Sequence, residues 1–87
     1  MARYEIRFKR SVTKDLRQIP SQEVKRILAR IDRLADDPRA PGCIKLAPGD
    51  RYRLRLGVYR IIYQIEDKQL VIQIVKIAHR SSAYRGR

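Results

Sequence analysis

Hydrophobic residues in the first half of the chain follow first a period of two and then a period of three to four. Over residues 3–8 they alternate with polar and charged residues, which predicts a strand with one buried face. Helical spacing follows, and it predicts a short helix that ends at Pro20 and a longer helix that ends before Pro38. Ser11 and Ser21 stand where N-cap residues are expected. The first half is therefore predicted to form one strand and two helices.

The second half of the chain is predicted to form strands. A Pro- and Gly-rich loop over residues 38–50, the pair Gly57-Val58 and the polar tetrad 66–69 separate its hydrophobic stretches. Three or four strands are predicted: residues 51–56, 59–65 and 70–77, with a short stretch at 44–46 in the loop as the candidate for the fourth. This order predicts a single α+β domain over residues 1–87. Two helices would pack on one face of a twisted, mostly antiparallel sheet and leave its other face partly open.

Charge narrows the class of partner. The 87 residues include 21 Lys and Arg against 9 Asp and Glu, a formal net charge of +12, and most of the cations are arginine. Such a charge attracts phosphate-rich or acidic partners, and the planar guanidinium grips phosphate in a bidentate way. Cys43 is the single cysteine, so neither an internal disulfide nor a Cys-based metal site is expected. With no stretch typical of a signal peptide or a membrane span, we expect a cytoplasmic protein that binds a polyanion.

Three arginines fall on one face of one predicted strand. Arg51, Arg53 and Arg55 alternate with hydrophobic residues, so they lie roughly 7 Å apart at each step, close to the spacing of adjacent phosphates. Arg60 on the next strand can point to the same open face. No carboxylate occurs in the sequence between Arg51 and Ile65, which favours an anion from outside the chain. The alternative is a solvated face that is paired to helix carboxylates, with Arg60 bracing the sheet.

A second group of polar residues follows the last predicted strand. His79, Arg80 and Tyr84 combine proton-transfer side chains with a charge stabiliser, although a lone histidine and a terminal tyrosine also serve purely structural roles. Carboxylates are scarce in the second half, so a cage for two Mg²⁺ ions is not expected. A nuclease built from these residues would use no metal or other cofactor and would need the 2′-OH of its substrate, which selects RNA over DNA.

Several stretches resemble the RelE/ParE superfamily of type II toxins. They are Lys14-Asp15-Leu16, Arg33-Leu34-Ala35-Asp36-Asp37-Pro38, Lys45-Leu46, Tyr52-Arg53-Leu54-Arg55-Leu56-Gly57-Val58-Tyr59-Arg60-Ile61-Ile62-Tyr63, His79-Arg80 and Tyr84-Arg85. The resemblance spans nearly the whole chain and has the same order of elements, so it implies the RelE-like fold.

The resemblance also implies an activity. RelE-like toxins enter the ribosomal A site and cut the mRNA codon there, and an acidic antitoxin encoded beside them neutralises them. Carried over by position, Arg53, Arg55 and Arg60 fall on the sheet positions of the catalytic set, and Arg80 and Tyr84 fall on the C-terminal ones. We expect His79 to join this set, and we expect RNA contacts from the further basic residues Lys45, Arg51 and Arg85.

One difference from the family has chemical content. Better-known RelE toxins carry lysines where this chain has Arg53 and Arg55, and an arginine cannot practically give up its proton to become a general base. Tyr84 or His79 is then the expected base, with Lys45 as a weaker third. Two alternative functions stay open: a ParE-like gyrase inhibitor, and a non-catalytic module that binds RNA or the ribosome.

Overall fold

The computed structural model describes residues 3–46 and 49–79. It contains the elements β1 (Glu5–Phe8), α1 (Arg10–Arg17), α2 (Ser21–Leu34), β2 (Cys43–Leu46), β3 (Arg51–Leu56), β4 (Tyr59–Glu66) and β5 (Val71–His79). The strands form one sheet in the order β1-β5-β4-β3-β2, in which β1 runs parallel to β5 and the other pairs are antiparallel. The predicted α+β class, with one strand and two helices before three or four strands, is confirmed, and the number of later strands is four. No helix in the described ranges is long and apolar enough to cross a membrane.

The core lies between the two helices and one face of the sheet. From the helices, Val12, Ile27, Ile31 and Leu34 contribute fully buried side chains. The sheet contributes alternate residues of its strands, namely Tyr52, Leu54, Tyr59, Ile61, Tyr63, Ile65, Ile72, Ile74 and Ile77. Because neighbours along a strand point to opposite faces, the residues between these positions lie on the face that the helices leave open.

The helix starts differ from the prediction. Neither Ser11 nor Ser21 is an N-cap, because α1 begins at Arg10 and α2 begins at Ser21 itself. The Lys9 N–H still donates to the Ile74 carbonyl at 2.9 Å, so sheet pairing continues up to the first helical residue. Before α2, the Pro20 carbonyl accepts the N–H groups of Glu23 and Val24. Backbone pairing and a proline of fixed φ therefore start the helices without a side-chain cap.

Strand ends also move slightly. β1 begins at Glu5 instead of residue 3, and β2 begins at Cys43. β4 extends to Glu66, and β5 runs from Val71 to His79. A bulge between Ile62 and Tyr63 in the β4–β5 register explains why hydrophobic residues on β5 do not alternate strictly.

Polar contacts fasten the far end of the sheet to the loop after α2. The buried Tyr63 hydroxyl donates to the Pro38 carbonyl at 2.7 Å, and burial raises the pKa of Tyr63. Arg39 donates to both carboxylate oxygens of Asp67, at 3.2 and 2.8 Å, and the Tyr4 hydroxyl donates to Asp67 at 2.7 Å. The hydrogen bonds from Arg39, which have the largest effect, and from Tyr4 lower the pKa of Asp67. They hold the β4–β5 turn at the end of the sheet away from His79.

Candidate nucleic-acid interface

Four arginines share the open face of the sheet, and we call them the arginine face: Arg51, Arg53, Arg55 and Arg60. Three of them alternate along β3, where Tyr52 and Leu54 point into the core instead. Arg60 on β4 lies directly opposite Arg55, so their side chains stand side by side on the same face. The structure thus brings together the four sheet arginines that the sequence singled out.

Three residues of the arginine face, Arg51, Arg53 and Arg55, lack in the described ranges the carboxylate partners that other arginines have. Arg3, Arg7, Arg26 and Arg39 each form a salt bridge with an Asp or Glu. Within residues 3–46 and 49–79, no carboxylate lies within 4.0 Å of the guanidinium of Arg51, Arg53 or Arg55.

Arg53 also has a hydrogen-bond donor for which the described residues supply no acceptor. Its Nε is buried and has no hydrogen-bond partner in the described part of the chain. A buried, unpaired donor costs about 1–3 kcal/mol, and more when it belongs to a charged group. An anion at this position would remove that cost.

Charge is distributed unevenly along the open face. Arg55 and Arg60 lie beside the Gly57-Val58 turn, and the carboxylates lie at the other end, where Glu66 and Glu5 both stand opposite Val71. Glu5 is also bonded to Arg7 at 3.0 Å. A bound polyanion is therefore attracted to the half of the face that carries Arg55 and Arg60.

His79 and Lys45 lie on the other side of the sheet. His79 is the last residue of β5, directly opposite Tyr59, and the two rings meet edge to face at 5.5 Å. Because Tyr59 faces the helices, the described geometry does not place the imidazole on the arginine face. Lys45 lies opposite the inward-facing Tyr52 and is exposed. The predicted site residues Arg80, Tyr84 and Arg85 lie outside the described residues.

Lys76 is a further basic residue of the open face, and the sequence pattern did not identify it. It lies opposite Ile62, which itself is opposite Arg53, so the three share one row across the sheet. Strict alternation along β5 does not identify this row, because the bulge shifts the register by one residue. A bulge leaves no clear signal in a run as hydrophobic as this one.

Ligands for a metal are not gathered in the described ranges: no three His, Cys, Asp or Glu side chains come together there. What the described residues offer is three arginines at alternate positions of β3, with Arg60 beside them, on the face of the sheet that the helices leave open. Such a surface binds and neutralises an anionic chain.

Comparison with known proteins agrees with this geometry. A family model described as the ParE toxin of type II toxin-antitoxin systems matches residues 6–84. Toxin RelG of Mycobacterium tuberculosis is 30% identical over 88 residues, covering 94% of this chain and 97% of the relative. The RelE-RelB complex of Pyrococcus horikoshii OT3 matches with a TM-score of 0.79 and 36% identity, over 88% of this chain and 94% of that one. The RelBE2 complex of M. tuberculosis, 24% identical, shares the fold with a TM-score of 0.83 over 93% of this chain and 95% of that one. The chain belongs to the RelE/ParE family of type II toxin-antitoxin toxins.

Proposed function

We propose that this toxin is an endoribonuclease that acts in the cytoplasm, without a metal ion, on mRNA in the ribosomal A site. The observation that carries the proposal is the arginine face, where Arg53 and Arg55 have no carboxylate partner among the described residues and Arg60 stands beside Arg55. The like charges of these arginines repel one another in the free protein, and bound phosphates would reduce this repulsion. The family supports a toxin, and the positions of these arginines support RNA as its target.

The reaction we propose is in-line attack of a ribose 2′-OH on its own 3′ phosphate. The 2′-oxygen forms a bond to phosphorus and the bond from phosphorus to the 5′-oxygen breaks. An arginine or His79 assists the leaving 5′-oxygen, which takes up a proton, and the products are a 2′,3′-cyclic phosphate and a 5′-OH. Arg55, Arg60 and Arg80 stabilise the extra negative charge on the phosphorane. Arg53 and Arg51 hold the flanking phosphates.

Proton transfer falls to residues outside the arginine face, since a guanidinium does not deprotonate. We propose Tyr84 as the general base and His79 as the second candidate. His79 packs against Tyr59 on the helix side, so its use as the base requires the imidazole to reach the far side of the sheet at the end of β5. This geometry favours Tyr84.

The ends of the cleaved RNA test the scheme. Translating ribosomes are treated with the wild-type toxin, with an Arg60→Ala/Tyr84→Ala variant, and with Arg33→Ala, which removes one exposed cation from α2 as a control. We expect cuts within the A-site codon, 5′-OH and 2′,3′-cyclic phosphate ends, a large loss of cleavage in the double variant and none in the control. Ends bearing 5′-phosphate and 3′-OH, or full activity of the double variant, would sink the scheme.

The ParE model that matches residues 6–84 supports a second candidate, inhibition of DNA gyrase through a protein contact. This function needs no catalytic residues. A supercoiling assay run beside the translation assay separates the two: the gyrase inhibitor blocks supercoiling and leaves ribosome-bound mRNA intact. Arrest of translation without cutting would instead indicate a non-catalytic module that binds RNA or the ribosome.

We also propose that an acidic antitoxin neutralises the toxin. The P. horikoshii relative was solved as a complex of RelE with RelB, and a chain with net charge +12 gains from binding acidic residues. If carboxylates of the antitoxin cover the arginine face, the complex should weaken as salt rises. Affinity that is the same at low and high salt would show that apolar contacts dominate.

A further inference from the structure

Asp15 is a largely buried carboxylate for which the proposed chemistry has no use. It lies in the middle of α1, and 20% of its side chain is exposed. Its Oδ2 accepts the backbone N–H of Ile77 at 3.1 Å, and its Oδ1 lies 3.7 Å from Nζ of Lys76. The residue belongs to the Lys14-Asp15-Leu16 run, which no part of the proposed site includes.

β5, the strand that Asp15 contacts, is no longer paired with β1 at this point. β1 pairs with β5 only from Val71 to Ile74, and the last bond of this ladder runs from the Lys9 N–H to the Ile74 carbonyl. Beyond it the chain turns into α1, so no strand of the described ranges lies beside this edge of β5. α1 brings the Asp15 carboxylate to this edge, where it takes over as acceptor for a backbone N–H that would otherwise be unpaired.

The segment held in this way leads into the proposed chemistry. Ile77 is followed by Ala78, which pairs with Arg60, and by His79, which pairs with Tyr59. Arg80 and Tyr84 come next in the sequence. The end of β5 therefore directly precedes, in the sequence, the residues proposed to move the proton.

We propose that Asp15 is a positioning residue of this toxin: by holding the Ile77 N–H, it fixes the end of β5 and thereby the placement of the residues that follow it. The inference rests on the proposed ribonuclease function and adds to it a residue on the opposite face of the sheet.

A positioning role predicts a separation of binding from turnover. RNA binds to the arginine face on β3 and β4, which pair with each other over six residue pairs, whereas the hydrogen bond and the ion pair of Asp15 both go to β5. Turnover depends on residues beyond Ile77. Since a misplacement of about 1 Å can cost on the order of a hundredfold in rate, loss of Asp15 should lower turnover by about ten- to a hundredfold. RNA affinity should not fall, because the phosphate contacts of the arginine face are unaltered, and removal of the carboxylate beside Lys76 should raise it slightly.

The test compares Asp15→Ala with Asp15→Asn and with Ile27→Val, a mild core substitution in α2 that is remote from β5 in sequence. We measure single-turnover cleavage, affinity for uncleavable 2′-O-methyl RNA, hydrogen exchange of the Ile77 amide, and the NMR signals of the His79 ring, which sense the Tyr59 ring. Asp15→Ala should lose turnover, speed Ile77 exchange and shift the His79 signals. Asp15→Asn keeps an oxygen that accepts the same bond, so it should recover most of the lost rate. Ile27→Val should leave all of these close to wild type.

Two outcomes would overturn the inference. One is a turnover of Asp15→Ala no lower than that of Ile27→Val. The other is an Asp15→Asn variant that cleaves RNA slowly although its Ile77 amide is still protected from hydrogen exchange. This outcome also rejects the inference if Asp15→Ala does not fold. If the wild type cuts no RNA, the proposed function fails, and the NMR signals then decide the role of Asp15. If the His79 signals and the exchange of the Ile77 amide are unchanged in Asp15→Ala, Asp15 does not fix the end of β5. If both change, that role of Asp15 stands.

Discussion

Salt dependence of RNA binding should count the phosphates that the arginine face holds. Arg51, Arg53 and Arg55 are spaced to meet one phosphate each, and Arg60 either shares the phosphate of Arg55 or takes a fourth. For single strands, log K falls with log salt at a slope of about 0.7 per phosphate, so three to four contacts predict a slope of about 2 to 3. Raising salt from about 50 to 200 mM should then weaken binding about 15- to 60-fold.

Fluorescence anisotropy with a short 2′-O-methyl RNA measures this slope, since the probe lacks the nucleophile and stays intact. Substituting Arg53 by Ala should lower the slope by about 0.7. The matched control is Arg33→Ala, which makes the same change in net charge on α2. If Arg33→Ala lowers the slope as much as Arg53→Ala does, or if the wild-type slope is close to zero, RNA is not held by the arginine face.

Three further predictions concern stability and the reaction. Tyr63→Phe leaves the buried Pro38 carbonyl unpaired and should cost about 1–3 kcal/mol in urea unfolding. Because burial raises the pKa of Tyr63, this difference should shrink above about pH 10, where the unfolded wild type ionises and the folded one does not. Arg39 lowers the pKa of Asp67, so the wild type should lose more stability than Asp67→Asn as pH falls from about 5 to 2, and equal losses would contradict this. Arg55→Lys keeps the charge and should leave the salt slope unchanged. Since it adds a group able to lose a proton, it should alter the pH profile of cleavage; an unchanged profile would place this position out of reach of the 2′-OH.

Much of the fold follows from periodicity. The hydrophobic stripe of α2 and the alternation in β3 and β4 each bury one side, and both repeats are regular enough to define helix, strand and face. The same alternation identifies the arginine face, because Arg53 and Arg55 can only point away from a core built by Tyr52 and Leu54. The first residues of the helices were not predictable in this way, because backbone hydrogen bonds of Lys9 and Pro20, and not side-chain caps, precede α1 and α2.

Positions across the sheet are harder to predict, because they depend on register. Lys45 belongs to a short edge strand, and only its pairing with Tyr52 shows that it lies on the helix side. The bulge beside Ile62 changes the face on which later β5 residues stand, His79 among them. The bond from Ile77 to Asp15 joins residues far apart in sequence, and no local pattern announces it.

The arginine face is better explained by binding than by stability. Arginines that support the fold, such as Arg3 and Arg39, meet carboxylates at 2.8–3.2 Å. On the open face Arg55 stands directly opposite Arg60, an arrangement in which like charges destabilise a sheet by up to about 1 kcal/mol. One carboxylate at Ile62 or Gln64 would relieve this repulsion, yet the sequence carries none from Arg51 to Ile65. The lack of carboxylate partners for Arg51, Arg53 and Arg55 among the described residues is consistent with a surface maintained for an anionic partner, which would supply negative charge when it binds. RNA and an acidic antitoxin would then compete for the same arginines, and the antitoxin would inhibit by satisfying the charge that the substrate otherwise satisfies.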